Sequence, residues 1–259
     1  MHNLFTIINE NDHIVRIELT NGKKYNPLSL DLIRDLTKTL KEVSSQPKVK
    51  VLIISSEGPG FTAGHDLDEL RKNQNNKEFF KLLFNECSKL MQTIMNLPQP
   101  VIAEVSGIAA AAGCQLVASC DLAIASEQSS FMTPGVNIGL FCSTPMVAVS
   151  RNISRKKIME MLLTGEKLNS QDAVQFGLIN HSVPQEQLHN KTMDLAKVIA
   201  SKPSSTVKIG KEAFYRQVEM PINEAYNYTS EVMTANMMEL DAQEGINAFL
   251  DKRHPNWNE

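Results

Sequence analysis

Between residues 15 and 19, apolar Val15, Ile17 and Leu19 alternate with Arg16 and Glu18, a period of two that predicts a half-buried β-strand ended by the turn Asn21-Gly22. Ser29 is placed to cap a helix whose apolar face is Leu32, Ile33, Leu36, Leu40 and Val43. Residues 51–54 are wholly apolar and predict a short buried strand, broken by Gly58-Pro59-Gly60. The Asn-rich residues 72–77 read as a mobile surface segment ahead of a long amphipathic helix over 78–96, stopped by Pro98 and Pro100. A second buried strand is expected at 101–105, the Ala-rich run from Gly107 to Cys120 favours helix, and 122–125 is another apolar strand. From Arg155 onward the pattern turns helical: Ile158, Met161 and Leu162 share a face, residues 170–176 form a helix closed by Gly177, and more helices run to Phe249 and Leu250. Only residues 179–183 read as a strand there. Alternating strands and helices followed by helices alone predict one α/β core with an appended helical region.

Composition narrows the function classes. The 259 residues carry 26 Lys+Arg against 29 Asp+Glu, a net charge of −3, with 42% hydrophobic and 21% charged residues. Evenly mixed charge and a pI near 6.1 lack the clustered cationic face that nucleic-acid phosphates or anionic lipids require. The uncharged stretch 128–150 is long enough to span a bilayer, but it holds Pro134, Gly135, Asn137, Gly139 and Pro145 and so reads as a loop-rich core segment. Residues 1–13 show no basic region followed by an apolar block, so no signal or transit peptide is expected. Cys87, Cys114, Cys120 and Cys142 form no ligand pattern and lie in apolar runs, which predicts reduced, buried thiols in a cytoplasmic protein and no metal site.

The chain has no GxGxxG after a strand, no GxxxxGK[ST], no GxSxG and no HExxH, so dinucleotide oxidoreductases, P-loop NTPases, α/β-hydrolases and zincin proteases all lose support. Its informative segments lie elsewhere. Phe61-Thr62-Ala63-Gly64-His65-Asp66-Leu67 follows a buried strand and its glycine loop. Val101-Ile102-Ala103-Glu104-Val105-Ser106-Gly107 leads into Ala111-Ala112-Gly113-Cys114-Gln115-Leu116 and then Cys120-Asp121-Leu122-Ala123-Ile124-Ala125. Small residues where a strand opens into a turn or helix serve close packing, and they also let a ligand reach the backbone, where free N–H groups at a helix start hold an anion or a developing oxyanion.

Taken in order, these segments resemble the crotonase family, the enoyl-CoA hydratase/isomerase superfamily, and the resemblance runs over nearly the whole chain. Supporting pieces are Lys23-Lys24-Tyr25-Asn26-Pro27-Leu28-Ser29, Leu163-Thr164-Gly165-Glu166, Phe176-Gly177-Leu178-Ile179, and Glu244-Gly245 with the segment from Ala248 to Pro255. The resemblance implies a crotonase-like spiral of ββα units over residues 1–195 and a helical C-terminal region over 196–259 used for trimer contacts. It also implies a coenzyme-A thioester as ligand, no separate cofactor, and a homotrimer or a hexamer built as a dimer of trimers. By position, the two backbone N–H groups of the family's oxyanion hole fall on His65 and Ala112. Main-chain groups around Ala63, Asp66 and Leu67 would hold the adenine end, and Lys24 is a phosphate contact candidate.

The family's hydratases activate water with two glutamates, and the resemblance assigns their positions to Gln115, after Gly113-Cys114, and to Gly135, after Pro134. Both carboxylates are missing. Gln115 keeps the hydrogen-bonding capacity of glutamate but cannot take a proton near neutral pH; Gly135 offers no side chain, and a positive φ there would resist replacement. The aspartate that dienoyl isomerases of the family add is Ser143 here. The run from Gly135 to Pro145, together with Gln115, resembles one divergent branch, the proteins called enoyl-CoA hydratase domain-containing protein 3 and their bacterial relatives. Replacement candidates are Asn137, better suited to a turn; Cys142, better read as an inert thiol; Ser143, expected to cap a helix before Thr144-Pro145; Asp121, expected to anchor a turn; and Glu104. Two functions remain open: an acyl-CoA enzyme of lipid metabolism, by name a lyase though decarboxylation or thioester hydrolysis fits equally, and a non-catalytic acyl-CoA-binding protein.

Overall fold

The computed structural model describes residues 4–258, so residues 1–3 of the amino-terminal stretch read for a targeting signal lie outside it. The alternating stretch is β2 (Ile14–Leu19), and it pairs antiparallel with β1 (Phe5–Asn9), an edge strand with mostly exposed side chains and hence no alternation to read. Ser29 accepts from Leu32 N and starts α1 (Leu30–Ser44). Three units of one plan follow. In the first, β3 (Val51–Ser56) and β4 (Gly60–Thr62) lead to α2 (Leu67–Lys72) and α3 (Lys77–Asn96). In the second, β5 (Val101–Val105) and β6 (Ile108–Ala110) lead to α4 (Ala112–Ser119), and in the third β7 (Leu122–Ser126) and β8 (Ser130–Met132) lead to α5 (Pro145–Val149) and α6 (Arg155–Thr164). The chain then forms β9 (Leu168–Asn169), α7 (Ser170–Phe176) and β10 (His181–Val183), and ends in α8 (Leu188–Ala200), α9 (Ser204–Gln217), α10 (Ile222–Met237) and α11 (Leu240–Leu250).

The first strand of each unit joins a six-stranded sheet ordered β1-β2-β3-β5-β7-β10, and the second joins a four-stranded sheet ordered β4-β6-β8-β9. Within each sheet the strands of successive units run parallel, so the chain advances one strand per turn and winds into a ββα spiral. Both faces of the larger sheet are covered, which is why residues 51–54 show no alternation. Leu52 and Ile54 join the main core with Ile17, Ala103 and the helices α1, α3 and α4, whereas Val51 and Ile53 join a second cluster with Ile14, Ile102 and Met193, Ala196 and Ala200 of α8. The sequence-based division at 195/196 falls inside α8.

The Ala-rich run departs from its expected helix over its first residues, where Ile108–Ala110 is strand β6. Alanine's helix preference is worth under about 1 kcal/mol per residue, and ladders to β4 on one side and β8 on the other outweigh it. Residues 73–76 are a turn between helices in which Asn73 donates to Glu69 O and Asn76 caps α3 through Phe79 N. The C-terminal motif has a mechanical meaning: Glu244 holds Arg253 by two contacts of 2.6 and 2.9 Å, and Gly245 packs beside the ring of Trp257. Among the described residues no helix is long and apolar enough to cross a membrane.

Helix α9 is tied to the core by a polar cluster. Lys211 Nζ donates to Asp121 Oδ2 at 2.7 Å and to the carbonyls of Ile94 and Gln99, while Asp121 also accepts from Val101 N and from the Tyr215 hydroxyl. Asp121, expected to anchor a turn, instead anchors the start of β5 and reaches into the C-terminal region. Burial pushes its carboxyl up and the Lys211 ammonium down from their ordinary values, each partner opposing the shift of the other. Removing one member of such a pair strands the other: Lys211→Met is expected to cost about 3–5 kcal/mol in urea denaturation. The double variant Asp121→Asn/Lys211→Met should cost clearly less than the sum of the single variants.

Candidate active site

The segments singled out in the sequence converge at the start of α4. Gly113 packs so closely on the end of β4 that a Cβ there would lie 2.4 Å from Thr62 O, and a Cβ on Gly64, whose φ is +91°, would lie 2.9 Å from Ala110 O and 3.3 Å from Ala112 N. The bareness of these glycines brings the His65 peptide alongside the first N–H of α4. That N–H, on Ala112, lies in the helix's first turn and has no intrahelical acceptor. Ala111, just before it, has φ 50° and ψ −115°, a conformation alanine adopts only under constraint; its own N–H donates to Met132 O at 2.9 Å. Three segments therefore meet here: 62–65, 110–115 and 131–135.

The other expected ligand contacts lie along one border of this junction. Ala63 N donates to Tyr25 O, which seats the turn Gly22–Lys24 against Ala63, and Lys24 is exposed on that turn. Ala63 and Leu67 are exposed as well, whereas the Asp66 carboxylate is committed to capping α2 through Asp68 N and Glu69 N.

The His65 side chain is not idle. Its Nδ1 lies 3.3 Å from Leu28 O, its ring meets Phe84 edge-on at 5.5 Å, and its Nε2 is buried with no hydrogen-bond partner. Burial lowers its pKa, partly opposed by the Leu28 carbonyl, so the imidazole is neutral at neutral pH. Gln115 is 4% exposed and its Oε1 also lacks a partner, as does the Thr133 hydroxyl. Thr133 and Phe84 escaped the sequence reading, although Phe80 and Phe84, four apart and stacked, mark a second apolar stripe on α3 beside the core stripe of Leu83, Cys87 and Leu90.

Gly135 carries an ordinary negative-side φ, contrary to the sequence-based reading. What excludes a side chain there is packing: a Cβ would meet Cys142 Sγ and Leu140 O, each at 2.9 Å. Ser143 likewise departs from expectation. Its hydroxyl turns back to Phe141 O, and Thr144 takes the N-cap position because Pro145 occupies the first turn of α5. Asn137 is exposed and its amide lies against Gly165. Glu104 pairs with Arg16 by contacts of 2.7 and 3.1 Å, and Arg16 also contacts Glu10 and His189, in a cluster on the far side of the larger sheet from α4. All four cysteines are buried and free; burial pushes Cys87 and Cys114 up to about 12 and raises Cys120 and Cys142, so none is a ready nucleophile. No group of three or more metal-ligating side chains occurs among the described residues.

This geometry has close counterparts. The profile of the family described as enoyl-CoA hydratase/isomerase matches residues 9–259. Human enoyl-CoA hydratase domain-containing protein 3, mitochondrial, is 49% identical over 95% of this chain and 81% of its own length, and mitochondrial enoyl-CoA hydratase of Pongo abelii is 29% identical over 96% and 85%. A crystal structure of enoyl-CoA hydratase from Mycobacterium smegmatis superposes with a TM-score of 0.96 at 41% identity, covering 99% of each chain. The crystal structure of the human domain-containing protein 3 gives 0.95 at 47% identity, covering 98% of this chain and 100% of that one. With its spiral, its converging turns and its full-length match, the chain belongs to the enoyl-CoA hydratase/isomerase family, in the branch of the domain-containing protein 3 proteins.

Proposed function

We propose that the protein binds coenzyme-A thioesters, with the thioester oxygen received by the N–H groups of His65 and Ala112, and acts on them through an enolate rather than by efficient hydration. The observation that carries this reading is the close approach of Gly64 to Ala112 N, since fixed donors aimed where charge develops are worth about 2.7–4 kcal/mol each in comparable oxyanion holes. The exposed border of Lys24, Ala63 and Leu67 suits the coenzyme's polar end. Against hydration stand Gln115, which cannot accept a proton near neutral pH, and Gly135. No separate cofactor is invoked. A non-catalytic acyl-CoA-binding role is the second reading, favoured by the loss of both carboxylates. Buried free thiols are in keeping with a cytoplasmic location, while the animal relatives are named as mitochondrial.

A trimer, or a dimer of trimers, completes the proposal. Met233, Met237 and Met238 do not fill the monomer core; they are 61%, 46% and 74% exposed, and Ile222, Leu240, Phe249 and Leu250 of α10 and α11 are exposed too. An apolar surface of this kind marks an interaction site.

Calorimetry with acetyl-CoA or crotonyl-CoA is expected to register binding at or below millimolar ligand; silence at that concentration would remove the proposal. Static light scattering at micromolar protein should give the mass of three or six chains, and a monomer would refute the assembly. Under saturating crotonyl-CoA the unmodified protein should turn over far below the roughly 10 s⁻¹ typical of enzymes. Gln115→Glu should restore little, and Gly135→Glu should lower stability by about 1–3 kcal/mol through its contacts with Cys142 and Leu140, read as a drop in thermal midpoint. Turnover near the typical rate would show that another residue activates water.

A further inference from the structure

Of the six buried side-chain polar atoms without a partner among the described residues, three belong to the segments that converge at the candidate site: His65 Nε2, Gln115 Oε1 and Thr133 Oγ1. Desolvated polar groups cost free energy unless something pairs with them, so their concentration here points to a polar event in the site rather than to packing. Among these, only His65 can take up a proton. Its tautomer follows from its neighbour, because Leu28 O can only accept, which puts the hydrogen on Nδ1 and leaves Nε2 as a lone pair.

The other acids and thiols that the sequence or the fold offers are engaged elsewhere or kept protonated. Asp66 caps α2, Glu69 accepts from Leu30 N, Glu104 is paired with Arg16, Asp121 is held by Lys211, and the Cys114 and Cys142 thiols are kept protonated by burial. Gln115 and Thr133 can orient a polar group but not ionise.

We propose that the imidazole of His65 is the base that stands in for the missing carboxylates, removing a proton from the α-carbon of a bound acyl-CoA through Nε2. The Cα–H bond breaks and its proton passes to Nε2. The electron pair of that bond becomes the carbon–carbon double bond of the enolate, as the carbonyl π pair moves onto the thioester oxygen between the N–H groups of His65 and Ala112. The imidazolium keeps its Nδ1–H on Leu28 O, and the reverse step returns a proton to the α-carbon. One residue thus serves twice, through its peptide N–H and through its ring. The inference rests on the proposed thioester site.

The test is α-proton exchange. Butanoyl-CoA is incubated with the protein in D₂O and its deuterium content followed by mass spectrometry, while calorimetry measures butanoyl-CoA binding separately. The unmodified protein should introduce α-deuterium well above the protein-free rate. His65→Gln, which keeps the peptide N–H, should lower the exchange by about 10²-fold or more and leave affinity within a few-fold. His65→Ala should regain exchange when imidazole is added, a rescue that a packing role would not produce and that stands in should His65→Gln fail to fold. Binding without exchange in the unmodified protein, exchange at the unmodified rate in His65→Gln, or no rescue in folded His65→Ala would each overturn the inference while leaving the binding site intact. Absence of binding would instead remove the thioester reading, and this inference with it.

Discussion

Backbone must touch backbone across two turns of the spiral, and the rest of the site follows from that contact. The end of β4 and the start of α4 come from successive units, and they approach so closely that neither Gly64 nor Gly113 has room for a Cβ. A methyl group at Gly113 would drive into Thr62 O and push α4 outward, carrying the Ala112 N–H away from the His65 peptide. The strained Ala111 shows the same constraint from the other side: its φ of 50° is tolerated because Met132 O holds its N–H and because α4 is fixed by a fully buried helix face. Positioning of this kind resides in the main chain, so it survives changes in neighbouring side chains such as those of Gln115 and Thr133.

The polar groups divide by the face of the larger sheet they occupy. Arg16, Glu10 and Glu104 are mutually satisfied on the α8 side, and Asp121 is satisfied by Lys211, Tyr215 and Val101 at the junction with α9. Buried ionic groups so fully paired contribute to specifying how helices seat on the sheet. At the start of α4 the opposite holds, with His65, Gln115 and Thr133 each left with an unpaired atom. Half of the unpaired buried side-chain atoms among the described residues thus belong to the segments that meet at the start of α4, whereas the buried charged groups, shifted as they are, are paired with one another.

Much of this architecture could be read from the chain because its strongest signals are local. Alternation at Val15, Ile17 and Leu19, the cap at Ser29, the apolar stripe of α3 and the Gly177 stop all act within one element, and each appears where expected. The short strands β4, β6 and β8 were illegible for the opposite reason. Each has three residues, and what makes them strands is pairing with one another across long sequence separations, which overrides the helix preference of Ala109 and Ala110. At the candidate site, motif order singled out the two segments, around His65 and Ala112, that the fold brings together. The crowding around Gly135 was hidden because it depends on Cys142 and Leu140 folding back onto it, and Thr133 was hidden because a threonine before proline looks like any loop residue.

The tether between α9 and the core sets how the molecule comes apart. Helices α9 to α11 pack chiefly on one another and expose a broad apolar face, which by itself would describe a loosely attached appendage free to open alone. Yet Lys211 donates to the carbonyl of Ile94 near the end of α3, to that of Gln99 just before β5, and to the Asp121 carboxylate that secures Val101. Detaching α9 would leave that carboxylate buried against β5 without its counter-ion and expose the last turn of α3. Amide protection in α9 should therefore track that of β5 rather than that of a fraying terminus, making the C-terminal helices part of the core's cooperative unit.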